Sequence, residues 1–194
     1  MKNKKFRIEK DSMGSVKVPI DALYGSQTQR ALENFPISST PFIIEFINAI
    51  VIIKRSAAIT NHRLGLLDLN IKNAIIKACD KILNGSYRDH FPIDIFQTGS
   101  GTSTNMNVNE VISCLSSNII GDKNKIHPND HVNMGQSSND TIPTAINISV
   151  SLMINNNLLP NLNQLIKSLH NKEKQFYNIL KLGRTHLQDA TPIT

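Results

Sequence analysis

Apolar residues recur every three or four positions along most of this 194-residue chain, a spacing typical of helices that bury one face. Four stretches carry the pattern: Phe42–Leu64, Ile71–Leu83, Val108–Leu115 and Leu158–Phe176. Gly65 and Gly85 follow the first two stretches, where glycine commonly ends a helix. We therefore predict a mainly α-helical protein, with a further helix that begins near Pro143.

The beginning of the chain follows a different pattern. Between Phe6 and Val18, apolar and polar residues alternate around the turn-forming sequence Met13-Gly14-Ser15, and Pro19 ends the alternation. This pattern predicts a small amino-terminal β-hairpin. Near the other end, Pro160 lies inside a helical stretch and is expected either to kink it or to begin it anew.

Charge and apolar content limit the classes of partner. The formal net charge is +6, but only Lys2–Lys5 form a basic run, so we predict no nucleic-acid partner. The most apolar run, Phe42–Ile53, is interrupted by Glu45 and Asn48 and is too short and too polar to span a membrane. No apolar core follows the first lysines, which favours a cytoplasmic location over secretion.

Three polar segments interrupt the helical pattern, and the first precedes the third predicted helix. It extends over Gln97–Asn107 and combines Gly99 and Gly101 with hydroxyl and amide side chains. Glycine lets a ligand approach the backbone, and a helix start offers unpaired N–H groups to an anion. The segment is therefore a candidate carboxylate site, although a helix cap in a flexible loop explains the same composition.

The second segment consists of His127–His131 followed by Gln136–Asp140. His127, Asp130 and His131 are residue types that bind zinc, yet no cysteine pair or compact third ligand accompanies them. The Ser-Ser-Asn sequence before Asp140 offers hydroxyl and amide groups to a second carboxylate at the start of the fourth helix. A simple Asx or Ser cap remains the alternative.

The third segment, Gly183–Pro192, places His186 beside the hydroxyl group of Thr185. Histidine is the side chain best suited to proton transfer near neutral pH. A lone histidine is more often structural than catalytic, so this segment acquires meaning only from the other two.

In order and spacing, the segments resemble the fumarase and aspartase superfamily, and class II fumarase most closely. The resemblance covers nearly the whole chain. Its matching blocks are Asp21–Arg30 with Glu33–Ser38, Gln97–Glu110, His127–Asp140 and Gly183–Thr194. Aspartases of the same superfamily differ in the first of these blocks.

The resemblance implies a reversible hydration of fumarate to (S)-malate and a role for individual residues. His186 would be the catalytic residue, because the family's histidine binds or activates the water. The substrate would be bound by Ser100, Gly101, Thr102, Ser137, Ser138, Asn139 and Thr185. A secondary anion site, which we favour over zinc, would consist of His127, Pro128, Asn129 and Asp130.

The chemistry of that reaction accounts for these residue types. Removal of a proton beside a carboxylate builds an enediolate-like dianion, which hydroxyl groups, amides and helix starts can stabilise without a metal. Hydration also needs no redox cofactor. We therefore expect a dicarboxylate substrate, with neither a metal nor a cofactor.

The resemblance also implies an organisation. Residues 1–138 would form the N-terminal lyase domain, and residues 139–194 the beginning of a central bundle of long helices. Family members are homotetramers whose pockets combine three chains, and their catalytic serine lies in a later Gly-Ser-Ser loop. No such loop precedes Thr194, so we expect a truncated or split chain that is inactive alone. The alternatives are an aspartase-like ammonia-lyase and a noncatalytic assembly partner.

Overall fold

The computed structural model describes residues 5–122 and 125–194, so Lys2–Lys4 of the basic run lie outside the described residues. The chain forms two compact units, one that ends at Ser149 and one that comprises Val150–Thr194. The expected domain boundary after residue 138 stays a prediction. Within the described ranges, no helix is long and apolar enough to cross a membrane.

The first unit begins with the predicted hairpin. Strand β1 (Phe6–Asp11) pairs antiparallel with β2 (Gly14–Pro19), with Phe6 opposite Pro19 and Asp11 opposite Gly14. Alternation places Val18 in the core. Arg7 secures the exit from the hairpin, because its guanidinium donates to the carbonyl groups of Pro19, Ala22 and Tyr24 at 2.9, 2.6 and 2.7 Å.

Helices form most of the first unit. In chain order they are α1 (Ser26–Asn34), α2 (Ile44–Arg63), α3 (Leu69–Leu83) and α4 (Thr102–Ile120). Helix α3 packs against both α2 and α4, and Ile50, Ile75 and Val111 are fully buried between them. The apolar spacing correctly predicts α2, α3 and α4, and their apolar stripes form one core.

Helix α1 is not predicted by apolar spacing, because most of its residues are polar. A buried carboxylate stabilises it from outside. Glu110 of α4 accepts hydrogen bonds from the backbone N–H groups of Gly25, Gln27 and Thr28 at 2.9, 2.9 and 3.1 Å, which satisfies the free donors of the helix start. Burial raises the pKa of Glu110, and these hydrogen bonds oppose that shift.

Glycines and one acidic cap set the bounds of the next helices. Gly65 and Gly85 follow α2 and α3 with φ of 75° and 90°, in the left-handed conformation that ends helices, as predicted. Asp68 begins α3, and its carboxylate accepts from the N–H groups of Asn70 and Ile71 at 2.7 and 3.4 Å.

Helix α5 (Ser138–Met153) begins earlier than the sequence predicts. The prediction near Pro143 is wrong because Ser137 starts the helix: its carbonyl accepts from the N–H groups of Asp140 and Thr141 at 3.1 and 2.9 Å. Pro143 instead lies inside the helix, where its missing N–H cannot donate to the carbonyl of Asn139. The Ser-Ser-Asn sequence is therefore at the helix start itself.

The second unit contains a helical part and a hairpin. A π-helical turn (Ile154–Leu158) leads into α6 (Leu159–Phe176), and strands β3 (Lys181–Thr185) and β4 (Gln188–Ile193) pair antiparallel. Pro160 lies in the first turn of α6, and the helical conformation continues without a break from the π-helical turn through Leu158 and Leu159. The hairpin is not predicted, because its strands show little alternation and are interrupted near Gly183.

Candidate active site

The first and second polar segments meet where α4 and α5 begin. The Ser100 hydroxyl donates to the side-chain oxygen of Asn139 at 2.7 Å, and the hydroxyl groups of Thr102 and Ser138 are 3.3 Å apart. Both pairs lie at the surface of the first unit. Two segments that were each ambiguous in the sequence thus form a single cluster of polar groups at two helix starts.

Glycine makes this approach possible at Gly101. The residue has φ of 79°, in the left-handed region, immediately before α4. A Cβ atom there would lie 3.0 Å from Cδ1 of Ile142 in α5, closer than ordinary packing allows. A side chain at position 101 would therefore strain the backbone and press against Ile142.

Capping of α4 is performed by Gln97. Its side-chain oxygen accepts from the N–H of Thr104 at 2.8 Å, and its amide donates to the Thr104 hydroxyl at 2.7 Å. Ser100 and Thr102 instead contact the second segment. The helix-cap interpretation of the first segment thus applies to Gln97 and leaves the role of the two hydroxyl groups open.

The second segment divides in the same way. The Ser137 hydroxyl accepts from the N–H of Asn139 at 3.2 Å, so Ser137 acts as a local cap. Ser138 and Asn139 use their side chains to reach the first segment.

The His-Pro-Asn-Asp sequence forms a separate short turn (Pro128–Val132). Nδ1 of His127 accepts from the N–H groups of Asn129 and Asp130 at 3.3 and 3.2 Å, and it also lies 3.1 Å from Oδ2 of Asp130. One nitrogen cannot accept those bonds and donate to the carboxylate at once. Among the described residues, no three His, Cys, Asp or Glu side chains form a group that could hold a metal ion.

The third segment lies in the second unit. Thr185 ends β3 and pairs with Gln188, while His186 is an exposed residue in the turn that follows. The guanidinium of Arg184 donates to the backbone carbonyl of His186. The structure therefore brings together the first two segments within one unit and places the third on the hairpin of the other.

A buried lysine near the cluster was not identified as a functional residue from the sequence. Lys54 is fully buried in α2, and its ammonium donates to the side-chain oxygens of Asn133 and Gln136 at 2.8 and 2.9 Å. Burial lowers its pKa to about 7, and the interaction with Cys79 opposes that shift. The available signal was spacing, because Lys54 falls on the same stripe of α2 as the buried residues Ile47, Ile50, Val51 and Ala58.

Comparison with known proteins points to one family. A family model described as lyase matches residues 14–194. A class II fumarate hydratase of Helicobacter pylori is 54% identical over 193 residues, and that of Nitrosomonas europaea is 52% identical over the same length. Each alignment covers 97% of this chain and 42% of the relative.

Solved structures agree with these sequence matches. A class II fumarase from Schistosoma mansoni has a TM-score of 0.92 and 44% identity, covering 97% of this chain and 41% of its own. A fumarate lyase:delta crystallin from Brucella melitensis has the same TM-score of 0.92 at 41% identity. The chain spans about two fifths of the length of the curated relatives it matches, while its helical fold with a small amino-terminal hairpin is that of these proteins.

Proposed function

This chain belongs to the lyase family, and from that premise we propose that it carries the carboxylate-binding part of a class II fumarate hydratase. The complete enzyme would add water reversibly to fumarate to form (S)-malate. The observation that carries the proposal is the meeting of Ser100 with Asn139, and of Thr102 with Ser138, at two adjacent helix starts.

These groups suit one end of a dicarboxylate. A carboxylate can accept from the hydroxyl groups of Ser100, Thr102 and Ser138 and from the amide nitrogen of Asn139. The groups bond to one another, and because they lie at the surface the exchange of these partners for a carboxylate costs little. The positive ends of α4 and α5 add an attraction for negative charge.

Charge stabilisation is also what the reaction requires. Removal of a proton beside one carboxylate of malate turns that end into an enediolate with two negative charges instead of one, so fixed donors there lower the barrier. We assign the binding or activation of the water to His186, with Thr185 completing the pocket. Gly101 and Ser137 serve the site by permitting the approach of α5 and by capping it.

The remaining parts of the proposal concern the complete protein. We infer a cytoplasmic homotetramer in which hairpins and helix starts from different chains share a pocket, with no cofactor. The turn at His127, Pro128, Asn129 and Asp130 is proposed as a secondary anion site, which requires the His127 ring to face an anion rather than only its own turn.

A fusion of this chain with part of a relative tests the proposed function. This chain would be joined to the part of the Helicobacter pylori fumarate hydratase that lies beyond the matched region, and fumarate formation from malate would be followed by absorbance. We expect activity in the joined protein and none in the 194-residue chain alone. Ser100→Ala and Asn139→Ala should each lower kcat/KM roughly a hundredfold.

A matched serine outside the cluster provides the control. Ser86→Ala removes an exposed hydroxyl group from the turn after α3 and should leave kcat/KM unchanged. The proposal fails if the joined protein folds, assembles and remains inactive on malate. It also fails if Ser100→Ala and Ser86→Ala have the same activity.

A further inference from the structure

Lys54 is an unusual residue to find in the core of a helical unit. It lies midway along α2 and is fully buried between apolar neighbours. A buried ammonium group loses its hydration, so it must find replacement partners inside the protein. Here the partners are two uncharged side chains, Asn133 and Gln136, at 2.8 and 2.9 Å.

Asn133 connects the lysine to α4. Its side-chain oxygen accepts not only from Lys54 but also from the amide nitrogens of Asn105 and Asn109, each at 3.2 Å. Its own amide donates to the carbonyl of Gln136 at 3.0 Å. The side-chain oxygen of Asn133 is therefore the meeting point of α2, α4 and the loop that precedes α5.

Gln136 connects the same lysine to the candidate site. Its amide donates to the carbonyl of Val132 at 3.0 Å, and the next residue in the chain is Ser137, where α5 is capped. Asn105, on the other side of the network, is in the turn of α4 that Thr102 begins. The hydrogen bonds of Lys54, Asn133 and Gln136 thus connect the start of α4 with the start of α5 on the core side of the cluster.

We propose that Lys54 is a positioning residue: through Asn133 and Gln136 it holds Ser138 and Asn139 in register with Ser100 and Thr102. This role rests on the proposed function in one respect: that function explains why the alignment of these four side chains matters. The register itself is set by contacts within the chain and can be measured without adding substrate.

The surroundings leave Lys54 without a negative partner. Cys79 of α3 interacts with it, but burial raises the pKa of Cys79 to about 12, so it is a neutral thiol at neutral pH. On the neighbouring turn, Asp130 and His131 bond to His127, and Glu110 of α4 bonds to the start of α1. Among the described residues, none forms a salt bridge with Lys54, so its hydrogen bonds respond to its own protonation.

Protonation of Lys54 should therefore change the hydrogen bonds that connect α2 with the loop before α5. A charged ammonium makes stronger hydrogen bonds to amide oxygens than a neutral amine does. Because the Lys54 pKa is about 7, this change takes place near neutral pH, where the side-chain amides of Asn133 and Gln136 can report it.

Hydrogen exchange in the 194-residue chain tests the proposal, with Lys54→Met and Arg55→Met compared with the unaltered protein. Arg55 is the next residue of α2, pairs with Asp80 at the surface, and controls for the loss of one charge. We expect the amides of Asp140 and Thr141 to exchange about tenfold faster in Lys54→Met and to be unchanged in Arg55→Met.

NMR supplies the second readout. The side-chain amide resonances of Asn133 and Gln136 should shift with one midpoint near pH 7 in the unaltered protein and in Arg55→Met, and this shift should vanish in Lys54→Met. If Lys54→Met does not fold, the same exchange measurement on Gln136→Leu, which removes one acceptor of the ammonium, decides. Asn133 and Gln136 resonances that do not move anywhere between neutral pH and the ordinary lysine pKa of 10.5 would overturn the role of Lys54. Unchanged exchange at Asp140 and Thr141 in a folded Lys54→Met or Gln136→Leu would overturn it as well.

No substrate enters either measurement, so the two proposals can fail separately. If exchange is unaffected by Lys54→Met while Ser100→Ala abolishes the activity of the joined protein, the positioning role is wrong and the function stands. If the exchange and NMR results are as expected but the joined protein is inactive on malate, the positioning role stands and the function is wrong.

Discussion

The two units of this chain treat their apolar residues in opposite ways. The first unit buries Ile50, Ile75 and Val111 at the contacts between α2, α3 and α4. In the second unit, α6 shows an equally regular apolar stripe, yet Leu165 and Ile166 are 53% and 61% exposed. The same sequence pattern therefore describes a completed core in one unit and an unpartnered face in the other.

The proposed site residues are divided between the two units. The helix starts that bring Ser100 to Asn139 belong to the unit with its own core, so their register is set within one chain. Thr185 and His186 belong to the unit whose apolar face is exposed. Under the proposed function, partner chains cover that face, so half of the site is prepared in advance and half depends on assembly.

A rise in pH should have the largest effect on the difference between the two units, because it deprotonates Lys54, which is buried in the first unit. Lys54 has a pKa of about 7 when folded and an ordinary value of 10.5, so between these values the unfolded chain binds the extra proton. The free energy of unfolding should therefore rise from pH 7 to pH 10.5, by at most about 5 kcal/mol, with no contribution outside that window.

Urea unfolding of the unaltered protein and Lys54→Met at several pH values isolates this effect. Their difference removes the contribution of Cys79, which acts in the opposite direction at high pH because its folded pKa is about 12. A difference that stays constant between neutral and alkaline pH would contradict the burial of Lys54.

Truncating one apolar side chain in each unit is the second test. Ile50→Ala should lower the free energy of unfolding by about 2 to 5 kcal/mol, because it leaves a cavity in the core. Leu165→Ala, at a half-exposed position of α6, should change it by less than about 0.5 kcal/mol in the monomer. Equal losses for the two variants would show that the second unit has a core of its own.

Self-association should depend on the exposed stripe of α6. Replacing both Leu162 and Leu165 by Glu should weaken association in sedimentation experiments about tenfold or more, since it places charge on an apolar contact face. Ile8→Glu, at an exposed position of the hairpin in the first unit, is the matched control and should have no effect. If all three proteins sediment alike, α6 is not the face on which copies meet.

The smallest expected effect concerns the helix starts. Asp68→Ala removes the cap of α3 and should cost about 1 kcal/mol of stability, measured by thermal unfolding. Asn161→Ala, early in α6, removes a side chain that only donates backwards to the carbonyl of Asn157 and should cost less. A larger loss for Asn161→Ala would contradict the view that local order is concentrated in the first unit.

Apolar spacing predicted α2, α3 and α4, since each has a stripe that its neighbours bury. It missed α1, which depends on the distant Glu110, and the β3–β4 hairpin, whose strands alternate poorly. The spacing of apolar residues along a segment cannot reveal a contact with a distant residue such as Glu110. It also cannot reveal a strand pair whose register is interrupted, as in β3 and β4.

The sequence indicates which segments contribute to the candidate site, but not which side-chain atoms face a ligand and which cap a helix. Glycines, hydroxyl groups and amides at two helix starts indicated anion binding, and the structure places those segments together. The sequence could not predict which groups cap the helices, because Gln97, Ser137 and Ser100 all offer side-chain oxygens. Only the distance of each oxygen from a backbone N–H in the folded chain identifies Gln97 and Ser137 as the caps. Lys54 was overlooked because a lysine ordinarily indicates a surface.

The central claim is that Ser100 and Asn139 act as one carboxylate-binding unit, and a double-mutant cycle in the joined protein tests it most directly. Steady-state kcat/KM on malate would be measured for Ser100→Ala, Asn139→Ala and the double variant. The 2.7 Å contact predicts that the double variant loses far less than the product of the two single losses. Losses that simply multiply, or single variants with undiminished activity, would contradict the account.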